Sequence, residues 1–106
     1  MATFLPGTRT LTLQITDPEV GDSISCYVYL TSDSAGNNVV GTAGTATAAQ
    51  TSNGSAQTFA PQVSVASAGT YYGWVAVLKN GALYAVFAQT NTLTIGNITV
   101  SQGAWS

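Results

Sequence analysis

The chain has no histidine, one cysteine, and only two basic and four acidic residues among its 106. Each shortage closes off a class of chemistry. Without histidine there is no His-based catalytic triad and no histidine-ligated metal. Cys26 alone permits no internal disulfide, and its place in an alternating run suits a buried small hydrophobe better than a reactive thiol. Charged residues are 6% of the chain, against about 25% in an ordinary soluble domain. The six are Arg9, Asp17, Glu19, Asp22, Asp33 and Lys79, so residues 34–78 and 80–106 are formally neutral. Two isolated cations make no basic stripe, which leaves nucleic acid and anionic membrane surfaces as poor partners. No apolar run of about 18 residues exists, and "MATFLPGTRT" lacks a positive region followed by an apolar one. Neither a transmembrane helix nor a signal peptide is therefore visible. A glycosidase needs two carboxylates facing across a cleft, whereas three of the four here crowd one turn. The expectation is a protein that is not an enzyme and uses no cofactor.

What is present is strand pattern. Hydrophobic residues make up 45%, enough for one core, and the length suits one domain. "TLTLQIT" alternates strictly, placing Leu11, Leu13 and Ile15 on one face. "DPEVGD" is a polar turn, after which "SISCYVYLT" alternates again, with Ile24, Cys26, Val28 and Leu30 facing one way and Tyr27 and Tyr29 the other. The stretch "GTAGTATAAQTSNGSAQT" has no aromatic and no charge. It is either a long flexible loop or one or two flat strands whose small residues permit close approach by another sheet or subunit. "TFAPQVSVA" forms a short strand carrying Phe59, Val63 and Val65, with Pro61 marking an edge or bulge. In "GTYYGWVAVLKNG", Tyr71, Gly73, Val75 and Val77 share one face and Tyr72, Trp74, Ala76 and Leu78 the other. Its Asn-Gly predicts a tight hairpin. The return strand, "LYAVFAQTNTLTI", is long enough to need a bulge near Gln89 to Asn91. No helical periodicity competes, and short strands separated by turn signals predict an all-β sandwich.

The turn "DPEVGD" also raises a metal question. Asp17, Glu19 and Asp22 offer several oxygens on one loop to a hard cation such as Ca²⁺, though at no established calcium spacing. The alternative is a solvated turn in which Asp17 bonds its own backbone ahead of Pro18. Asn53-Gly-Ser55 and Asn97-Ile-Thr99 satisfy the glycosylation pattern, which arises often by chance in a chain rich in Ser and Thr.

Three stretches together resemble immunoglobulin-like domains. "VGDSISCYVYL" is similar to their second strand, "AGTYYGWVAV" to their sixth, where "GTYYC" is typical, and "NGALYAVFAQTNTLTI" to the closing strand of bacterial and phage immunoglobulin-like or fibronectin-III-like domains. The resemblance spans roughly residues 8–95 and implies an immunoglobulin-like antiparallel β-sandwich of about seven strands. It puts Tyr71 at the tyrosine-corner position, Cys26 at the first disulfide position and Gly73 where the second cysteine would stand, so the sandwich is of the disulfide-free kind. With no sulfur there, Gly73 is expected to let a neighbouring aromatic ring lie against the backbone. Residues 1–7 are then an N-terminal arm, 8–95 the sandwich, and 96–106 a C-terminal strand and arm.

If Tyr71, Val75 and Val77 point inward, Tyr72 and Trp74 point out, and Tyr27 and Tyr29 point out from the opposite sheet, unless inward and outward are reversed on one strand. Phe4 and Trp105 sit on the terminal arms, which either fold back or anchor in a neighbour. The strands of the neutral region carry no charge to discourage edge pairing. Phe4, Tyr27, Tyr29, Tyr72, Trp74 and Trp105 are thus the expected interface. Its expected partners are other protein subunits, either in a homo-oligomer or on a lattice. The resemblance and the absent signal peptide together suggest a capsid-decorating or tail-accessory subunit of a virus particle, placed at a virion or extracellular surface. A carbohydrate-binding or adhesive module, with Tyr72 and Trp74 stacking on a glycan beside Asn80, Gln89 and Asn91, is the alternative from another class. A third is an extracellular filament subunit whose terminal strand completes a neighbour.

Overall fold

The structure, a computed structural model, describes residues 2–101 and 103–105. Met1, Gln102 and Ser106, which belong to the expected terminal arms, lie outside the described residues. Every regular element among the described residues is a strand: β1 (Thr3–Phe4), β2 (Gly7–Thr10), β3 (Leu13–Thr16), β4 (Ser23–Thr31), β5 (Val39–Val40), β6 (Gln50–Thr51), β7 (Ala56–Phe59), β8 (Gln62–Val65), β9 (Gly69–Lys79) and β10 (Ala82–Ile95). The expected seven are thus drawn out into ten, several of them only two residues long.

The strands form two layers. One is a sheet in the order β1-β10-β9-β4-β5, with β6 also pairing β4. The other is a ribbon of two antiparallel pairs, β2 with β8 and β3 with β7. Pro61 has no N–H to give the ladder, and the ribbon breaks beside it, the two halves being joined by Leu11 N–H donating to Pro61 O at 2.9 Å. The sheets are not purely antiparallel, because β1 runs parallel to β10, with Thr3 opposite Thr94 and Phe4 opposite Ile95.

The alternation read in the sequence builds the core. Ile24, Cys26, Val28 and Leu30 on β4 and Tyr71, Val75 and Val77 on β9 are buried against Phe59, Val63 and Val65 of the ribbon, with Leu11, Leu13 and Ile15 packed at its side. At the bend before β9, the Tyr71 hydroxyl donates to Ser67 O at 2.7 Å, so a buried phenol is satisfied without water. The Asn-Gly hairpin is present: Asn80 and Gly81 both take positive φ, 52° and 84°, as a two-residue turn of this hand requires. The expected bulge is present too, as a register shift between Ala88 and Thr92.

The neutral segment after Val40 is ordered by its backbone. Gly44 N–H donates to Val28 O at 2.9 Å, Thr47 N–H donates to Cys26 O at 2.8 Å, and β6 then pairs with Ser23 and Ile24. The chain from 39 to 51 therefore lines the free edge of β4, with a cleft of ≈ 540 Å³ left between residues 42–47 and 60–64.

Two expectations are corrected. β4 and β9 are neighbours in one sheet, with Cys26 opposite Val77 and Leu30 opposite Gly73, so Cys26 and Gly73 do not face each other across a core as first and second disulfide positions do. What lies on Gly73 is the aliphatic stem of Gln89, 3.6 Å from where a Cβ would be, rather than an aromatic ring. Cys26 itself is fully buried, and burial pushes its thiol pKa up, as fits a core residue.

Candidate assembly interface

The two long sides of the molecule differ. At the β4 side the segment 39–51 covers the sheet edge. At the opposite side β10 has β9 on its inner flank, and β1 touches it only at Thr94 and Ile95. Along residues 82–91, no described strand lies beside it.

Residues 82–88 of it are also apolar on both faces. Because directly paired residues share a face, Phe87 opposite Val75 and Ala85 opposite Val77 look toward the core layer, and Leu83 opposite Leu78 and Val86 opposite Ala76 look outward. Leu83 is 57% exposed, Tyr84 65%, Val86 41% and Phe87 50%. A strand with no polar face usually lies between two covering layers. Here the second cover is missing.

The gap continues between the layers. A cleft of ≈ 420 Å³ runs between Leu13 and Ile15 of β3 and Val75, Val77 and Phe87 of the sheet. A second, of ≈ 300 Å³, adjoins it at Ile24, Lys79 and Tyr84. Leu13 and Ile15 are accordingly only half-buried. The core is open at this seam to the depth of one strand.

The residues expected from the sequence are placed differently. Tyr29 stands opposite Trp74 and Thr31 opposite Tyr72, so Tyr27, Tyr29, Tyr72 and Trp74 share one face of one sheet and are not divided between opposite sheets. All four are half-buried. Tyr29 and Trp74 stack with centroids 6.5 Å apart and an interplanar angle of 12°. A loop at 32–38 lies across the tryptophan: a Cβ on Gly36 would be 2.6 Å from its Cζ2, and Trp74 Nε1–H donates to Thr31 Oγ1 at 2.9 Å. The aromatic group is a packed patch rather than an open platform.

Asp33 holds that loop. Its carboxylate accepts from Asn38 N–H at 2.8 Å and from Asn37 N–H at 3.1 Å, while Thr31 Oγ1 donates to Asp33 O at 2.7 Å. The backbone N–H of Asn38, then that of Asn37, lowers the Asp33 pKa from the ordinary aspartate value of 3.8. A lowered folded value means that the stabilisation is fully present above pH 3.8 and is lost as pH falls through the folded pKa. Asp33→Ala is therefore expected to lower the melting temperature at neutral pH and to redden Trp74 emission, read in a Trp105→Phe background. Its deficit against wild type should narrow as pH drops below 3.8. A deficit that stays constant down to acid pH counts against this role.

The acidic turn bonds its own backbone as expected, although Asp22 is buried rather than solvated. Asp17 Oδ1 accepts from Glu19 N–H at 2.9 Å, and Asp22 pairs with Lys79 at 3.5 Å and with the Asn80 amide at 3.2 Å. Contact with Asp17 first, then Asn80, lowers the Asp22 pKa, with Lys79 adding to it. Among the described residues no group of three or more acidic, cysteine or histidine side chains is gathered as a metal would require, so Asp17, Glu19 and Asp22 do not form one.

The termini also differ from free arms of one kind. Phe4 is held in β1 against β10, with the Arg9 guanidinium 5.4 Å from its ring centroid and Arg9 Nε–H donating to Leu5 O at 2.9 Å. Trp105 is fully exposed, and the described residues from 97 onward form no strand, although "NITV" reads as one. No known protein family, curated protein or solved structure matches this chain. The open side of β10 was missed in the sequence, where "LYAVFA" passes for an ordinary buried strand. Its one available signal was that six consecutive residues without a polar face cannot all be covered in a two-layer molecule.

Proposed function

We propose that the protein is a non-enzymatic structural subunit of a repeating assembly, a capsid-decorating or tail-accessory protein of a phage or virus particle that works through protein-protein contacts. The observation that carries this reading is the uncharged, exposed, strand-free flank of β10 with Leu83, Tyr84, Val86 and Phe87 on it. Solitary proteins protect such edges with charge, proline or a covering element. An array of identical subunits supplies the cover from outside, at a virion or extracellular surface.

With it goes the finer fold reading, an immunoglobulin-like sandwich. The layer order and the Tyr71 hydroxyl bonded to Ser67 O, in the manner of a tyrosine corner, support it. In that scheme β2 and β3 take the second-strand place and β4 the third, one strand later than the resemblance of "SISCYVYL" implies. Such folds host many functions, so the particle role rests on the edge and not on the fold. The glycan-binding alternative draws less support, because the Trp74 ring is covered and the Asn80 side chain is occupied by Ser23 N–H and Asp22.

Light scattering on the size-exclusion peak of the full chain, across a hundredfold concentration range, tests the reading. A discrete oligomer or a growing fibre is expected. A monomer at every concentration that also fails to bind any particle lattice would overturn it.

A further inference from the structure

We infer that the open flank of β10 is filled by the C-terminal segment of a second copy of this chain, residues 97–101 adding as a strand. This rests on the assembly reading above and names the partner at that same surface.

Four features of the molecule converge on this occupant. First, Asn97-Ile98-Thr99-Val100-Ser101 alternates as a half-buried strand does, yet Ile98 and Val100 are exposed and the segment pairs with no described strand of its own chain. Second, the vacancy has matching chemistry. Ile98 and Val100, turned inward, would meet Phe87, Leu13, Ile15 and Val77 in the cleft, with Thr99 left on the outer face. Third, the segment cannot readily serve its own chain. It leaves β10 at Ile95, and the neighbouring edge position there is already held by β1, through Phe4 opposite Ile95 and Gly96 N–H donating to Phe4 O at 2.9 Å. A hairpin reversal onto β10 is blocked by that strand. Fourth, every described residue from 97 onward is exposed.

The choice of edge follows from the exposed apolar side chains Leu83, Tyr84, Val86 and Phe87, which no other strand matches. The ribbon's flank at β2 carries Arg9, one of the two cations, and the free flank of β4 is already covered. The flank of β10 carries no charge. Strand addition of this kind draws affinity from main-chain hydrogen bonds and register from alternate side chains entering pockets. The contact joins two different surfaces head to tail, so it propagates into a ring or an open fibre.

Crosslinking between full-length variants tests this. Thr99→Cys chains are mixed with Ala88→Cys chains and treated with a short bismaleimide; Cys26, fully buried, stays silent. Both engineered positions lie on the outer face in the inferred arrangement. Mixed dimers are expected to form at least tenfold faster than in a control that pairs Thr99→Cys with Ser64→Cys on the ribbon. The full-length double variant Ile98→Asp/Val100→Asp should need at least a hundredfold higher concentration to assemble and melt as wild type does, since both side chains are exposed in the single chain. If the double variant assembles normally, or the mixed crosslink is no faster than the control while wild type still assembles, the segment is not the occupant and only the assembly reading survives. If a Thr99→Cys/Ala88→Cys double variant crosslinks within itself at a rate independent of dilution while the mixed single variants do not, the inference is overturned in favour of self-closure. A wild type that is monomeric throughout removes this inference, and removes the assembly reading as well if the protein also binds no particle lattice.

Discussion

Gly44→Ala is expected to lose about 3 kcal/mol of stability and with it roughly 12–20 °C of melting temperature, an effect large for a single methyl group. The backbone angle of Gly44 is not the reason, since its φ is not among the positive ones. The cause is space: a Cβ there would lie 1.8 Å from Gln62 O and 3.3 Å from Val28 O. Both obstacles are main chain, one in each layer, and neither can turn aside. Room can be made only by moving the segment off β4, which breaks the Gly44–Val28 bond and loosens Thr47 from Cys26. Gly73→Ala is the matched control. Its Cβ would meet Gln89 at 3.6 Å, an ordinary contact, and the change should be neutral or stabilise by up to ~0.5 kcal/mol through the unfolded chain. Thermal unfolding followed by circular dichroism separates the two. Equal melting curves for the pair would show that the segment 41–49 does not seal the sandwich at Gly44.

The same position shows why parts of the fold were legible and others were not. Local rules were enough for "TLTLQIT", for "SISCYVYLT", for the Asn80-Gly81 turn and for the bulge after Ala88, because each is written in a neighbouring pattern of period two or in a turn chemistry. Segment 41–49 has no such pattern. It is fixed by two backbone N–H groups and by a glycine narrow enough to pass between layers, and neither leaves a side-chain signal. Strand order is a non-local property as well. Alternation places Tyr29 and Trp74 on outer faces, but only the pairing of β4 with β9 puts them on the same one, stacked and roofed by the Asp33 loop. Of the interface expected from the sequence, Trp105 alone is fully exposed, while Phe4 is held by a strand too short to show a period.

Leu83→Lys/Phe87→Lys is expected to weaken self-association at least a hundredfold while leaving the single chain folded. The two effects separate because of where the side chains already are. Both are half exposed or more in the isolated molecule, 57% and 50%, so replacing them costs the monomer little, on the order of 0.5 kcal/mol. In an assembly they are covered. With about half of each side chain still to be covered, each then forfeits about 0.8–1.5 kcal/mol of burial, and the two together approach the figure of about 2.8 kcal/mol that a hundredfold loss requires. Lysine adds a second obstacle, since a charge along an open strand edge is the usual device against strand addition. The positions also report on different faces: Leu83 opposes Leu78 on the outer side and Phe87 opposes Val75 on the core side. An added strand is sensed by both, whereas a partner lying flat on the outer face is sensed by Leu83 alone. Light scattering of the double and the two single variants therefore discriminates the mode of contact. Loss in both singles fits a strand entering the seam, and loss in Leu83→Lys alone fits a face-on partner. Unchanged association in all three would move the interface away from β10, leaving the Trp105 segment or the Tyr29–Trp74 face to carry it.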